Sequence, residues 1–242
     1  PGMSAYDVGR KAVVMNVSDL LAKGVKPRSA VFCWGIPHEY TANILTEVSD
    51  GMNRTARECG THVTGGDTSE SNDFFLAGTV FGMVDRHKLL RRSTVKPGQI
   101  IATTGPFGLS SIAYRILLQG ATATPQIRDK ALEAAYRPRL RFSEANAIAE
   151  AGVASAGIDS SDGFARSLHW LGRMSRVGFI VDNLPTTEEG RQFPTATEWR
   201  RVAIMRTMLQ PARWARMTSW ASTTSVMTSG RGPSSRMEPA RM

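Results

Sequence analysis

The chain has 242 residues, 41% of them hydrophobic, which suits a globular protein of one or two domains with an ordinary core. No apolar run reaches the ~20 residues that span a bilayer, and the first residues lack the basic-then-apolar layout of a signal peptide, so no membrane partner is expected. The net charge of +9 raises the question of nucleic acid, but eight arginines against two glutamates from residue 196 onward supply most of it. No nucleic-acid partner is expected of the body. Cys33 and Cys59 show no metal-ligand spacing and read as reduced thiols, which places the protein in the cytoplasm.

Residues 6–23 carry Ala12, Val13, Val17, Leu20 and Leu21 at helical spacing, and Gly24 follows as a stop. Residues 29–34 form a short, partly β-branched run that predicts a strand, ended by Gly35 and Pro37. Helical periodicity returns over 41–59, with Gly60 past its end. Strands are predicted over 62–64 and 74–84, joined by a small polar loop, Gly65-Gly66-Asp67-Thr68-Ser69-Glu70. A second unit begins near Lys96-Pro97-Gly98. It reads as a strand over 100–104, helices over 109–118 and 141–150, a strand over 154–158, a loop over 159–163, a helix over 164–173 and a closing strand over 177–181. Residues 129–133 and 137–141 read as charged helix faces and turns.

The mixture predicts an α+β protein. Its first domain covers residues 1–95, its second 96–193, and a tail follows over 194–242. After Phe193 there is no aspartate and no lysine, yet six of the eleven methionines and three of the five tryptophans lie there. The expectation is an aberrant, disordered tail of the kind that out-of-frame translation produces.

Four aspartates stand out. Asp19 lies on an otherwise apolar helix, Asp67 in Gly65-Gly66-Asp67-Thr68, and Asp159 and Asp162 flank two serines between a strand and a helix. A carboxylate among apolar residues is costly unless paired, hydrogen-bonded or bound to metal, and several at strand ends suit Mg²⁺, which takes oxygen ligands. Small residues beside Asp67 and Asp162 would let phosphate approach backbone N–H groups, and the helix after Asp162 offers its positive end. Each has a plainer alternative: Asp162 as a helix cap, Asp67 as a turn residue, Asp19 as a solvated helix position. The Gly-x-x-x-x-Gly-Lys-Ser/Thr phosphate loop is absent, the four histidines show no zinc spacing, and Arg91-Arg92 is a basic pair that could meet phosphate.

Taken in order, Asn16-Val17-Ser18-Asp19-Leu20-Leu21-Ala22-Lys23-Gly24, Gly65-Gly66-Asp67-Thr68, Leu90-Arg91-Arg92-Ser93 with Pro97-Gly98, and Asp159-Ser160-Ser161-Asp162-Gly163 resemble the motifs of thiamine-monophosphate kinases. These belong to the aminoimidazole ribonucleotide synthetase-like superfamily, which also includes hydrogenase-maturation proteins. The resemblance implies a two-domain fold that dimerises through its first sheet, and ATP-dependent phosphorylation of thiamine monophosphate to thiamine diphosphate. It implies Mg²⁺ at Asp19, Asp67, Asp159 and Asp162, and ATP contacts from Gly66, Asp67, Arg92 and Ser161. The family's leading Asp-Asp loop and His-Phe strand have no counterpart ahead of Pro1, its later Gly-Gly-Glu-x-Tyr-Glu-Leu motif has none after Phe193, and Gln99 stands where the family has aspartate. The expectation is a chain lacking its start, with weak or no turnover. The alternatives are a non-catalytic nucleotide-binding remnant or a relative such as a hydrogenase-maturation protein.

Overall fold

A computed structural model describes residues 2–193 and the backbone of 226–229. Helix α1 (Ala5–Leu21) starts where Ser4 Oγ accepts a hydrogen bond from Asp7 N at 3.1 Å. It buries Val13, Val17 and Leu21. Helix α2 (Ala42–Glu58) is capped by Thr41 and buries Val48, Met52 and Ala56 against it. The two helices cross at backbone distance. A Cβ on Gly9 would run into Val48 O, and one on Gly51 into Tyr6 O. Glycine at both positions is what lets the apolar stripes meet.

Beneath them lies a three-stranded sheet in the order β2-β1-β3. Strand β1 (Lys26–Ile36) runs parallel to β2 (Val63–Glu70) and antiparallel to β3 (Phe75–Met83). Ala30, Phe32 and Val80 point into the core under α1 and α2. On β3 the alternate residues face outward, leaving Phe75, Phe81 and Met83 exposed at 48%, 53% and 77%.

The strand predicted over 62–64 is the start of β2, and the polar run 65–70, predicted as a loop, continues it. Its composition carries no strand preference, but the eleven-residue β1 offers a long row of backbone partners, and parallel pairing takes them up. Gly66 lies directly opposite Phe32 with φ 152°, and a Cβ there would strike Phe32 O. Only glycine permits that approach.

The second sheet has the order β4-β6-β5: β4 (Ile100–Thr103) and β5 (Ala154–Ile158) flank β6 (Val226–Ser229), antiparallel to both. The backbone of 226–229 is therefore paired strand, where the sequence predicts a disordered tail. The remainder of that expectation lies outside the described residues. Helices α3 (Leu109–Gln119), α4 (Pro125–Tyr136), α5 (Phe142–Ala151), α6 (Phe164–Ser175) and the short α7 (Glu188–Gln192) complete the fold. Helix α4 arises where only charged faces are predicted. Thr124 before Pro125 is its start signal, with Thr124 Oγ1 accepting from Ile127 N at 3.5 Å. Residues 177–181 are not a strand. Val177, Phe179 and Val181 pack as irregular chain on the cluster around Ile158, Phe164 and Leu171. Gln99 has a structural role, its Oε1 accepting from Lys96 N at 2.8 Å and Ser155 Oγ at 2.9 Å.

The two halves meet along α1. Arg137 Nε donates to the buried Asp7 at 2.8 Å, and Lys11 Nζ to Ala135 O at 2.8 Å. Leu140, Phe142 and Ile148 pack on the first core. Among the described residues, no helix is long and apolar enough to cross a membrane.

Candidate functional site

Asp19 stands on the last turn of α1, and Asp159 directly follows β5. The loop after Asp159 is held from beneath. Ser160 is fully buried, its Oγ lies 2.9 Å from Ser167 Oγ, and Ser167 Oγ reaches back to Asp159 O at 3.2 Å. Ser161 turns over Asp159, both its backbone N, at 3.4 Å, and its hydroxyl bonding to Asp159 Oδ2. Arg92 Nη2 comes within 3.6 Å of Asp159 Oδ1. Its segment is pinned in turn, since Ser175 Oγ donates to Arg92 O at 2.8 Å and Thr94 Oγ1 to Ser155 O at 2.6 Å. Asp162 is not the cap of α6. Gly163 occupies that position and no side chain among the described residues caps it, while Asp162 pairs with Arg166 Nε at 3.3 Å.

These groups enclose a cavity of about 140 Å³ lined by Asp19, Arg92, Asp159, Ser161, Asp162 and Trp170. Five of the seven residues named from sequence thus share one site. Gly66 and Asp67 line a different space, about 520 Å³ between α2 and the β1–β2 pair, beside Phe32, Trp34, Leu45 and Met52. Asp67 is a strand residue, and its Oδ1 accepts from Thr68 N at 2.9 Å.

The electrostatics of the first cavity are those of a crowded acidic pair. Burial, and then the neighbouring Asp159 carboxylate with which it is in hydrogen-bonding contact, push the Asp19 carboxyl up to about 6. Asp19 is still open to the cavity, so it is protein packed around the carboxyl, not full enclosure, that disfavours its charge. Lys23, one turn further on, is drawn down to about 8 by burial and then by Arg92, while Asp159 and Asp19 pull the other way.

Ser167 and Trp170, which line the cavity, and Lys23, which lies behind it, are given no role by the sequence reading. Ser167 and Trp170 stand three apart on α6 and line the same cavity, a helical spacing visible in the sequence. Lys23 carries no such signal, because its partner lies far away in the chain.

The donor set suits a hard cation. Two carboxylates in contact with no proton or metal between them are unfavourable, and a divalent ion would relieve both. Among the described residues no three acidic, histidine or cysteine side chains converge to hold a metal alone. Mg²⁺ usually binds through one or two carboxylates and completes its shell with water and substrate phosphates.

Residues 1–84 match the family of AIR synthase related protein, N-terminal domain. The thiamine-monophosphate kinase of Pyrococcus horikoshii is 34% identical over 192 residues, covering 78% of this chain and 60% of that protein. The crystal structure of thiamine monophosphate kinase from Aquifex aeolicus superposes with a TM-score of 0.75 at 21% identity, over 98% of this chain and 76% of that one. A structure of AaThiL complexed with AMPPCP and TMP gives 0.72 at 20% identity, over 94% and 70%. The two structures establish the shared fold. The chain thus spans about three-fifths of the length of its Pyrococcus relative; it is similar to thiamine-monophosphate kinases over that stretch, and its residues 1–84 match the AIR synthase related N-terminal domain.

Proposed function

We propose that this chain provides the nucleotide- and metal-binding part of a kinase that transfers the γ-phosphoryl group of ATP to thiamine monophosphate, giving thiamine diphosphate. The observation that carries the reading is the gathering of Asp19, Arg92, Asp159, Ser161 and Asp162 around one cavity, in a homologue of proteins with that activity. Asp19 and Asp159 would hold Mg²⁺, which would neutralise phosphate charge, and Asp162 lines the same cavity. Arg92, already beside Asp159, presents a planar cation suited to a phosphate oxygen. The uncapped start of α6 directs backbone N–H groups and the positive helix end toward the same place. Ser161 orients Asp159, and Gly66 and Asp67 would meet the nucleotide from β2. Direct phosphoryl transfer needs little beyond such positioning and charge.

The test is titration with AMPPCP, with and without Mg²⁺, followed by incubation with ATP and thiamine monophosphate and chromatography for thiamine diphosphate. Mg²⁺-dependent binding lost in Asp159→Asn supports the reading. Binding without transfer restricts this chain to nucleotide binding, and absence of Mg²⁺-dependent binding overturns the proposal.

The division into domains near residue 95 and the dimer belong to the same proposal. The uncovered sheet face with Phe75, Phe81 and Met83 is the kind of apolar patch that a second copy would bury. Sedimentation of the wild type and of Phe81→Asp tests it: a dimer that the substitution converts to monomer supports it, and a monomeric wild type overturns it.

A further inference from the structure

Lys23 joins three separate segments at one point. Its backbone carbonyl accepts from Leu90 N at 3.0 Å, just ahead of Arg92. Its ammonium crosses to strand β5 and donates to Gly157 O at 2.9 Å, two residues before Asp159. Its own place in the chain is one helical turn after Asp19. Gly157 leaves no gap at this crossing, because a Cβ there would strike Ala22 O. The end of α1 and the end of β5 are therefore in backbone contact, with Lys23 tying them together.

An ammonium is an expensive way to fill a half-buried crossing. A methionine has a similar reach and no charge to desolvate, and a carbonyl, the ammonium's one hydrogen-bond acceptor among the described residues, repays little of that cost. What the charge adds is its position. With Arg92 it sets two cations beside the two anions Asp19 and Asp159, so the acidic pair can close up with no metal between them.

We propose that Lys23 is a positioning residue that clamps α1 to β5 and thereby sets the approach of Asp19 to Asp159. The clamp itself is a property of the ligand-free chain, and its consequence for Mg²⁺ rests on the functional reading above. Lys23 does not line the cavity and acts only through the two carboxylates it brings together.

The ligand-free clamp is tested by amide hydrogen exchange on the wild type, Lys23→Met and Lys23→Arg. Faster exchange in Lys23→Met over residues 88–93 and 154–162, with α2 unchanged and Lys23→Arg close to wild type, supports the clamp. Unchanged exchange at those segments overturns it, as does equal loss of protection in α2, which would make Lys23 a general stabiliser. The second measurement is the Mg²⁺ dependence of AMPPCP binding in a double-mutant cycle with Asp19→Asn. Lys23→Met is expected to weaken Mg²⁺ binding about tenfold alone and to add little once Asp19 is neutral. Fully additive losses overturn the positioning role. If the wild type shows no Mg²⁺-dependent nucleotide binding, the functional reading fails, while hydrogen exchange still decides the clamp.

Discussion

Asp19 is a residue whose charge the folded chain tolerates rather than favours. Packing around its carboxyl and the adjacent Asp159 both oppose ionisation, so neutralising it should help the ligand-free fold while removing a metal ligand. Asp19→Asn is expected to raise Tm at pH 7 by about 2 °C and to weaken Mg²⁺-dependent nucleotide binding without abolishing it. Scanning calorimetry and titration on the same sample check both, and a fall in Tm would contradict the charge argument. Such a trade between stability and function is ordinary at binding sites. At this scale Asp19, Asp159 and Asp162 were legible as candidates from sequence, because a carboxylate in an apolar helix or beside a strand end is locally anomalous, whereas Asp67, singled out with them, lies at the other cavity. Lys23 and Ser167 were not legible. A lysine near a helix end and a serine on a helix look ordinary until distant residues, Gly157 and Ser160, are brought against them.

Among the elements, the α1–α2 pair shows how glycine sets packing distance. Gly9 and Gly51 each face a carbonyl of the opposite helix with no room for a methyl group. Gly9→Ala would have to push the helices apart and loosen Val13, Val48 and Met52 together, a destabilisation of about 1–3 kcal/mol by the cost of overpacking. Urea denaturation measures it, and a neutral result would mean that the crossing yields more easily than its geometry indicates. Helix α1, helix α2 and strand β5 were readable because each carries its own period or bounded apolar run. Strand β2 was readable only at its start, Val63 and Thr64, since Gly-Gly-Asp-Thr-Ser-Glu holds no alternation of β-branched or apolar residues and takes its strand conformation from pairing with β1. Residues 177–181 fail in the opposite sense. They have the composition of a strand but pair with no strand among the described residues, and Val177, Phe179 and Val181 pack on the core as irregular chain.

In the whole molecule, the first core and the helices of the second half are joined by an ion pair between the buried Asp7 and the exposed Arg137 that no local pattern announces, the two lying 130 positions apart. Burial alone would raise the Asp7 carboxyl. The Arg137 hydrogen bond, helped by Ser4 and by the charges of Arg137 and Arg10, outweighs that and holds it below the usual carboxylate range. A carboxyl with a lowered folded pKa binds fewer protons in the native than in the unfolded state. Its stabilisation is therefore complete above the unfolded value of about 3.9 and is lost as pH falls through the folded one. Arg137→Ala removes the partner while leaving Asp7 buried, so the variant should lose about 3 °C of Tm at pH 7. The sign of the pH dependence follows from the unpaired carboxyl. Its folded pKa rises above the unfolded value, and the native state then gains protons as pH falls. The deficit of the variant should shrink between pH 6 and pH 4, where the wild type is only beginning to lose its own ion pair. Thermal melts of both proteins across that range decide the matter. A deficit that stays constant with pH would mean that Arg137 supports α4 through packing alone, and that charge does not hold the two halves together.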